Sequence, residues 1–252
     1  MNSIKEGAMY LEQWFQAVHA NLAHIEVGER AAIVAAAEAV AASLANQGAI
    51  HVMDTGHLLR HEAYFRAGGL MAIAPLSYEF TLENPTPQRT VSLAADRAAD
   101  LEARKVALAL DSSAIRPGDI VIINSNSGRT ANVIEMGLQC RAQGIVTIGI
   151  ASLQQMTRCE TAHPSGKKLF DVVDYPIDNG APYGDAAIPV EDNEKMCPLS
   201  GIASALILWA VQAEAVERLQ ARGINPSIFR SVHVSGHEYI DAQIERFKRQ
   251  GI

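Results

Sequence analysis

Cysteine is scarce. Cys140, Cys159 and Cys197 are the only three in 252 residues, and no two show CxxC spacing. That pattern gives no disulfide framework and no cysteine-held zinc site, and it suits a reducing compartment. Basic residues are also short. The net charge is −7, which argues against a nucleic-acid backbone as partner. No run of about 20 apolar residues is free of charge, so no membrane span is expected. Met1–Glu6 lacks the basic-then-apolar pattern of a secretory leader. The expected location is therefore the cytoplasm. Repeats, low-complexity segments and flexible linkers are missing as well.

What remains has the balance of a globular protein, with 48% hydrophobic and 19% charged residues. The length fits one domain with an appendage and suffices for a proper core. Apolar residues at helical spacing predict a helix over 4–25, including Trp14, Phe15, Val18, Leu22 and Ile25, broken at Glu26-Val27-Gly28. Trp14 and Phe15 read as core or subunit contacts. An Ala-rich helix follows over 30–47. Ala49–Met53 and Leu70–Leu76 read as strands, with a helix from Leu58 to Ala67 between them. A long loop covers 77–90, of the kind often used as a lid or subunit contact. Leu93–Leu110 reads as a helix with Leu101, Val106 and Leu108 inward.

Ile120–Ile123 is a β-branched run with no polar break, as in a buried parallel strand. It ends in Asn124-Ser125-Asn126-Ser127-Gly128-Arg129-Thr130. A helix follows to Gly144, then a second buried strand, Ile145–Ile150. Beyond it, 153–170 is basic and loop-like, with Lys167 and Lys168 as possible anion contacts or plain surface lysines. Asp171–Ile177 reads as a strand and 186–198 as a solvated charged loop. A very apolar helix runs over 199–219, either central or against a partner. Strands and helices alternate from 49 to 219, which predicts an α/β fold: a three-layer, doubly wound parallel sheet of about five strands. Extra helices precede it (1–47), the core spans 48–222, and a helical tail spans 223–252.

The loop after Ile123 opens a helix. Backbone N–H groups without intrahelical partners and the positive dipole end lie there. Ser125, Ser127 and Thr130 place three hydroxyls around them, and Gly128 allows close backbone approach. No Walker lysine accompanies them, so a single phosphate monoester fits better than a triphosphate. The plainer alternative is a Ser-capped helix, for which one hydroxyl suffices. Thr55, Gly56 and His57 occupy another strand-end loop, on the edge where open α/β sheets bind ligands. His57 and His61 are spaced i,i+4 like metal ligands, but such a pair is more often simply a polar helix face, and no metal or cofactor is expected. Glu62 is either a general base or a solvated helical residue.

Ser125-Asn126-Ser127-Gly128-Arg129-Thr130 resembles the Ser-x-Ser-Gly-x-[Ser/Thr] phosphosugar loop of sugar isomerase (SIS) domains. The resemblance extends over about 30–240. Pro198-Leu199-Ser200 is similar to the Pro and Ser/Thr cluster that opens the last long helix of SIS isomerases, which implies a substrate role for Ser200. The tail Arg222–Gly236 resembles that of SIS arabinose-5-phosphate isomerases, and His233 falls on that family's catalytic histidine. Arg129 and Asn132 stand where those enzymes tend to carry carboxylates, and Asp54 and Leu58 depart from the usual first loop. As a whole the chain looks like a group of bacterial SIS proteins. The shared features are the leading helices, Arg66-Ala67-Gly68-Gly69, Ser165-Gly166-Lys167-Lys168 and the 178–185 loop.

The resemblance implies a sugar phosphate ligand. Ser125, Asn126, Ser127, Gly128, Thr130, Thr55, Gly56 and Ser200 would bind it, and His233, His57 and Glu62 would supply acid–base catalysis. It also implies a homodimer or higher homo-oligomer. Aldose–ketose isomerisation is the leading reaction. A phosphosugar sensor and a sugar-phosphate lyase are the alternatives.

Overall fold

A computed structural model describes residues 9–55, 59–81, 83 and 94–252. Five parallel strands form the main sheet, in the order β2-β1-β3-β4-β5. They are β1 (Ile50–Asp54), β2 (Ile73–Pro75), β3 (Ile120–Asn124), β4 (Val146–Ala151) and β5 (Tyr175–Asp178). The chain leaves β1 towards one edge, then returns to the other side of β1 for β3. That reversal puts the topological switch point between β1 and β3, where doubly wound sheets open a crevice. The register pairs Ile50 with Ile120 and Asp54 with Asn124, so these two polar residues end neighbouring central strands side by side.

Every residue of β3 is buried, because both faces of the sheet are covered. Ile120 and Ile122 share a core with Ile50, Val52, Ile148 and Ile150. Against that face pack α2 (Arg30–Ala45) and α8 (Ser200–Ala221). Ala36, Ala37, Val40, Ala41 and Leu44 are completely buried there. The three alanines let α2 lie close to α8, whose Ala203, Ile207, Val211 and Ala215 belong to the same core. Val121 and Ile123 point the other way and pack with Val133, Ile134, Met136 and Cys140 of α5 (Ala131–Ala142). Val106 and Leu110 of α4 (Ala95–Asp111) complete that second core. The uninterrupted β-branched run is thus the imprint of a strand covered on both sides.

Several sequence expectations are corrected. The helix expected over 58–67 is a single turn, α3 (Leu59–Glu62), followed by bends. Leu108 is 65% exposed rather than inward, because the buried stripe of α4 runs through Ala99, Val106 and Leu110. Asp171 and Val172 lie in α7 (Leu169–Val172), and the strand begins at Tyr175. The segment after Ser152 forms α6 (Leu153–Arg158), started by the Ser152 hydroxyl, which accepts the Gln155 N–H at 3.1 Å. The 186–198 segment is a two-stranded antiparallel hairpin, β6 (Ala186–Pro189) and β7 (Lys195–Pro198). Asp192 and Asn193, both with positive φ, make its turn, and after glycine short polar residues tolerate that backbone best.

At the N-terminal side, α1 (Tyr10–Ala23) runs into a π-helical turn over His24–Gly28 before α2. The chain therefore stays helical through Glu26-Val27-Gly28, where a break was expected. Trp14 is half-buried, while Leu11, Phe15 and Leu22 are exposed. The tail passes beside β2: Leu70 bridges Ile228, and the Met71 N–H donates to Ser227 at 3.0 Å. It ends in α9 (Val232–Gln250), kinked at Gly236. No helix among the described residues is long and apolar enough to cross a membrane.

Candidate functional site

A cleft of about 510 Å³ opens at the carboxyl ends of the central strands, lined by Thr55, Ser125, Asn126, Ser127, Thr130, Asn132, Gln155, Gly184 and Asp185. Strand β3 and helix α5 place the hydroxyl loop there. Backbone bonds hold the loop against its neighbours. The Ser125 N–H donates to Ile150 at 3.0 Å, and the Ser152 N–H donates to Asn126 at 3.0 Å. The Asn179 side-chain amide donates to the Asn126 side-chain oxygen at 3.2 Å. From β1, Thr55 is anchored across the switch point by its N–H and its hydroxyl, both donating to the Asn124 carbonyl at 3.2 Å. Asn124 in turn donates its side-chain amide to Asp54 at 2.8 Å.

Thr130 occupies the N-cap position of α5 and makes no side-chain capping bond. The hydroxyls of Ser125 and Ser127 likewise have no partner among the described residues. Ordinary capping therefore does not account for the three hydroxyls. They converge on the positive end of a helix dipole and remain available to an oxyanion.

Gly128 has a different role from the one expected. Its φ is +55°, and a Cβ there would lie 3.0 Å from both the Leu169 Cβ and the Met156 sulfur. Its bare side faces that packing, and its carbonyl accepts the Leu169 N–H at 2.8 Å. The glycine lets the loop turn while lying tight on its own support.

Three other candidate residues, Ser200, Glu62 and His233, are not among the lining of this cleft. Ser200 is 2% exposed, and its hydroxyl donates to the Asp185 carboxylate at 2.6 Å. Glu62 pairs with Arg66 at 3.3 Å, one turn along the chain. His233 is exposed near the start of α9. Gly56 and His57 lie outside the described residues.

Sequence reasoning missed Asn132, Gln155, Gly184 and Asp185 as lining residues. Their common signal is position: Gly184 and Asp185 belong to the loop that follows β5, and Gln155 to the helix that follows β4. Gln155 also accepts the Gly184 N–H at 2.8 Å, tying two walls together.

The cleft, the strand order and the hydroxyl loop define the class. The chain belongs to the SIS domain family, whose model matches residues 13–152. It is 31% identical over 244 residues to a UPF0309 protein of Geobacillus thermodenitrificans, covering 95% of this chain and 96% of that one. It is 33% identical over 231 residues to a UPF0309 protein of Streptomyces griseus, covering 90% of each chain. Among solved structures, a phosphoheptose isomerase from Neisseria gonorrhoeae aligns with a TM-score of 0.48 at 16% identity, over 84% of this chain and 96% of that one.

Proposed function

We propose that the chain binds a sugar phosphate in the cleft and interconverts its aldose and ketose forms. The observation that carries this reading is the convergence of Ser125, Ser127, Thr130 and Thr55 on one cleft, with three of the hydroxyls unspent at the start of α5. Membership of the SIS family supports the same ligand class.

The phosphate oxygens accept hydrogen bonds from the loop hydroxyls and from the first N–H groups of α5. Their binding energy holds the sugar carbons in place for proton transfer. A base removes the proton from C2 of the aldose, giving an enediol. The proton returns at C1, while the O2 proton moves to O1. Imidazole suits both transfers, since its ordinary titration range brackets neutral pH. His57, two residues beyond Thr55, is the base in this scheme. His233 is the second group, contributed by another copy of the chain. Its exposure on the tail leaves it free to reach across, and it is not part of its own cleft lining.

A homodimer completes the scheme. Leu11, Phe15 and Leu22 are exposed on α1 at four- and seven-residue spacing. Beside them a groove of about 340 Å³ is lined by apolar residues such as Leu22, Ile25, Ile33 and Leu206 together with the charged Glu26, Arg30, Glu214 and Glu217. This largely apolar face, with its charged residues, is where we place the second copy.

One observation favours a second reading, a phosphosugar-binding protein without turnover. Asp185 is the only carboxylate among the described lining residues, and its oxygens are taken by Leu199 and Ser200. Incubation with pentose, hexose, heptose and hexosamine phosphates in D₂O, followed by proton NMR, separates the two. Deuterium at C2 with appearance of ketose establishes the isomerase. Line-broadening without exchange in any sugar, and without eliminated product, establishes the binding protein.

A further inference from the structure

We propose that His24, Glu29 and Asp178 form a binding site for a divalent transition-metal ion of the zinc class, apart from the sugar-phosphate cleft. His24 opens the π-turn after α1, Glu29 lies between that turn and α2, and Asp178 ends β5. One ligand atom from each lies within 4.8 Å of the others. His24 Nε2 is 3.2 Å from Asp178 Oδ2. Two ligands bound at about 2.1 Å and about 100° to each other are separated by about that distance. The two atoms share a hydrogen bond at that distance, and an ion can replace the proton with little movement of either side chain.

Each ligand is oriented by a second set of contacts, as metal ligands generally are. Asp178 Oδ1 accepts the N–H groups of Leu153 at 2.8 Å and Gly180 at 3.0 Å, which turns Oδ2 towards His24. Glu29 Oε2 accepts the Asp178 N–H at 3.1 Å, so the second carboxylate is pinned beside the first. The imidazole lies against Gly180, where an added Cβ would come within 2.5 Å of its Cδ2. For His24 it is this packing that orients the ring.

The charge balance points the same way. Two carboxylates meet here, and among the described residues neither forms an ion pair with Lys or Arg; His24 is the one basic group. A divalent cation neutralises the pair. An imidazole nitrogen with two carboxylates favours zinc or manganese over calcium or magnesium, which take oxygen ligands. Side-chain exposure of 42% for His24 against 13% for Asp178 leaves a solvent side for entry and for water ligands. Asp178 also holds the first residue of α6, the helix that carries Gln155 into the cleft. The bound ion therefore clamps the π-turn to the end of β5 and steadies that wall. Glu29 and His24 are separated from Asp178 by 149 and 154 positions, so no sequence spacing announces the site.

The test is calorimetric titration of the EDTA-treated full chain with zinc chloride, with thermal melting in parallel. Wild type is expected to bind one equivalent per chain and to melt higher with zinc, since an ion that binds only the folded state stabilises it. His24→Ala and Glu29→Gln should each weaken binding about tenfold or more, while His19→Ala, on the exposed side of α1, binds as wild type. Circular dichroism verifies that the variants are folded. Failure to saturate near one equivalent, or wild-type binding in either His24→Ala or Glu29→Gln, overturns the proposal. Adventitious capture by other histidines would leave Glu29→Gln unaffected and is thereby detected.

Discussion

Asp185 holds Ser200 by two bonds: the Ser200 hydroxyl donates to Oδ2 at 2.6 Å, and its N–H donates to Oδ1 at 2.8 Å. The Leu199 N–H also reaches Oδ1, at 3.1 Å. A residue of the cleft wall thus caps the long apolar helix α8 and links the cleft to the core. Ser200→Ala removes a hydrogen bond to a charged acceptor, worth about 1.5–3 kcal/mol. The expected result is a lower urea midpoint with phosphosugar affinity retained. Lost affinity at unchanged stability would instead make Ser200 a ligand contact.

Gly128→Ala meets two obstacles, the positive φ and the 3.0 Å approach to Leu169 and Met156. Strain and overpacking of this kind cost about 1–3 kcal/mol. The variant should melt earlier and bind phosphosugar more weakly, because the loop that carries Ser127 shifts with it. A melting curve like that of wild type would show that the loop tolerates the methyl group.

Burial pushes the Cys140 thiol up from 9.0 to about 12, and burial pushes the Tyr78 hydroxyl up from 10.0 to about 12. The unfolded chain releases these protons earlier than the folded one. Stability from both groups is therefore complete below about pH 9 and falls as pH rises towards 12. Urea midpoints measured from pH 8 to pH 11 should drop, and Cys140→Ala should flatten the lower part of that drop. Cys140 should also resist thiol reagents until the chain unfolds, whereas the half-buried Cys159 and Cys197 react in the native state.

Phe15 is 53% exposed on the apolar stripe of α1. Phe15→Glu places a charge on the proposed contact between copies. Light scattering should show a shift to monomer with the circular dichroism spectrum preserved. An unchanged mass would move the contact to another face.

Much of the fold was legible because burial leaves a periodic trace. The Ile120–Ile123 run and the Ala-rich stripe of α2 each point to an element that the structure contains. The hydroxyl loop was legible too, since its residues are contiguous. What was not legible depends on distant partners. The exposure of Leu108 follows from where α5 lies against α4. The hairpin at 186–198 was hidden by its charges, although Asp192-Asn193 is a turn pair of the right chemistry. Asp171 and Val172 sit one turn before the strand that their apolar neighbours suggested. Ser200 looked like a ligand residue because a serine at a helix start fits both roles, and only Asp185, fifteen positions away, decides what its hydroxyl does.

The most direct measurement is phosphosugar affinity of Ser127→Ala and Thr130→Ala beside wild type, by ligand-observed NMR with the same panel of sugar phosphates. Each substitution removes a hydroxyl from the start of α5, and a hydrogen bond to a charged phosphate is worth about 1.5–3 kcal/mol. The expected result is saturable binding by wild type and an affinity loss of about tenfold or more in each variant, at wild-type stability. Equal affinity in wild type and both variants would contradict the assignment of this loop as the phosphate site.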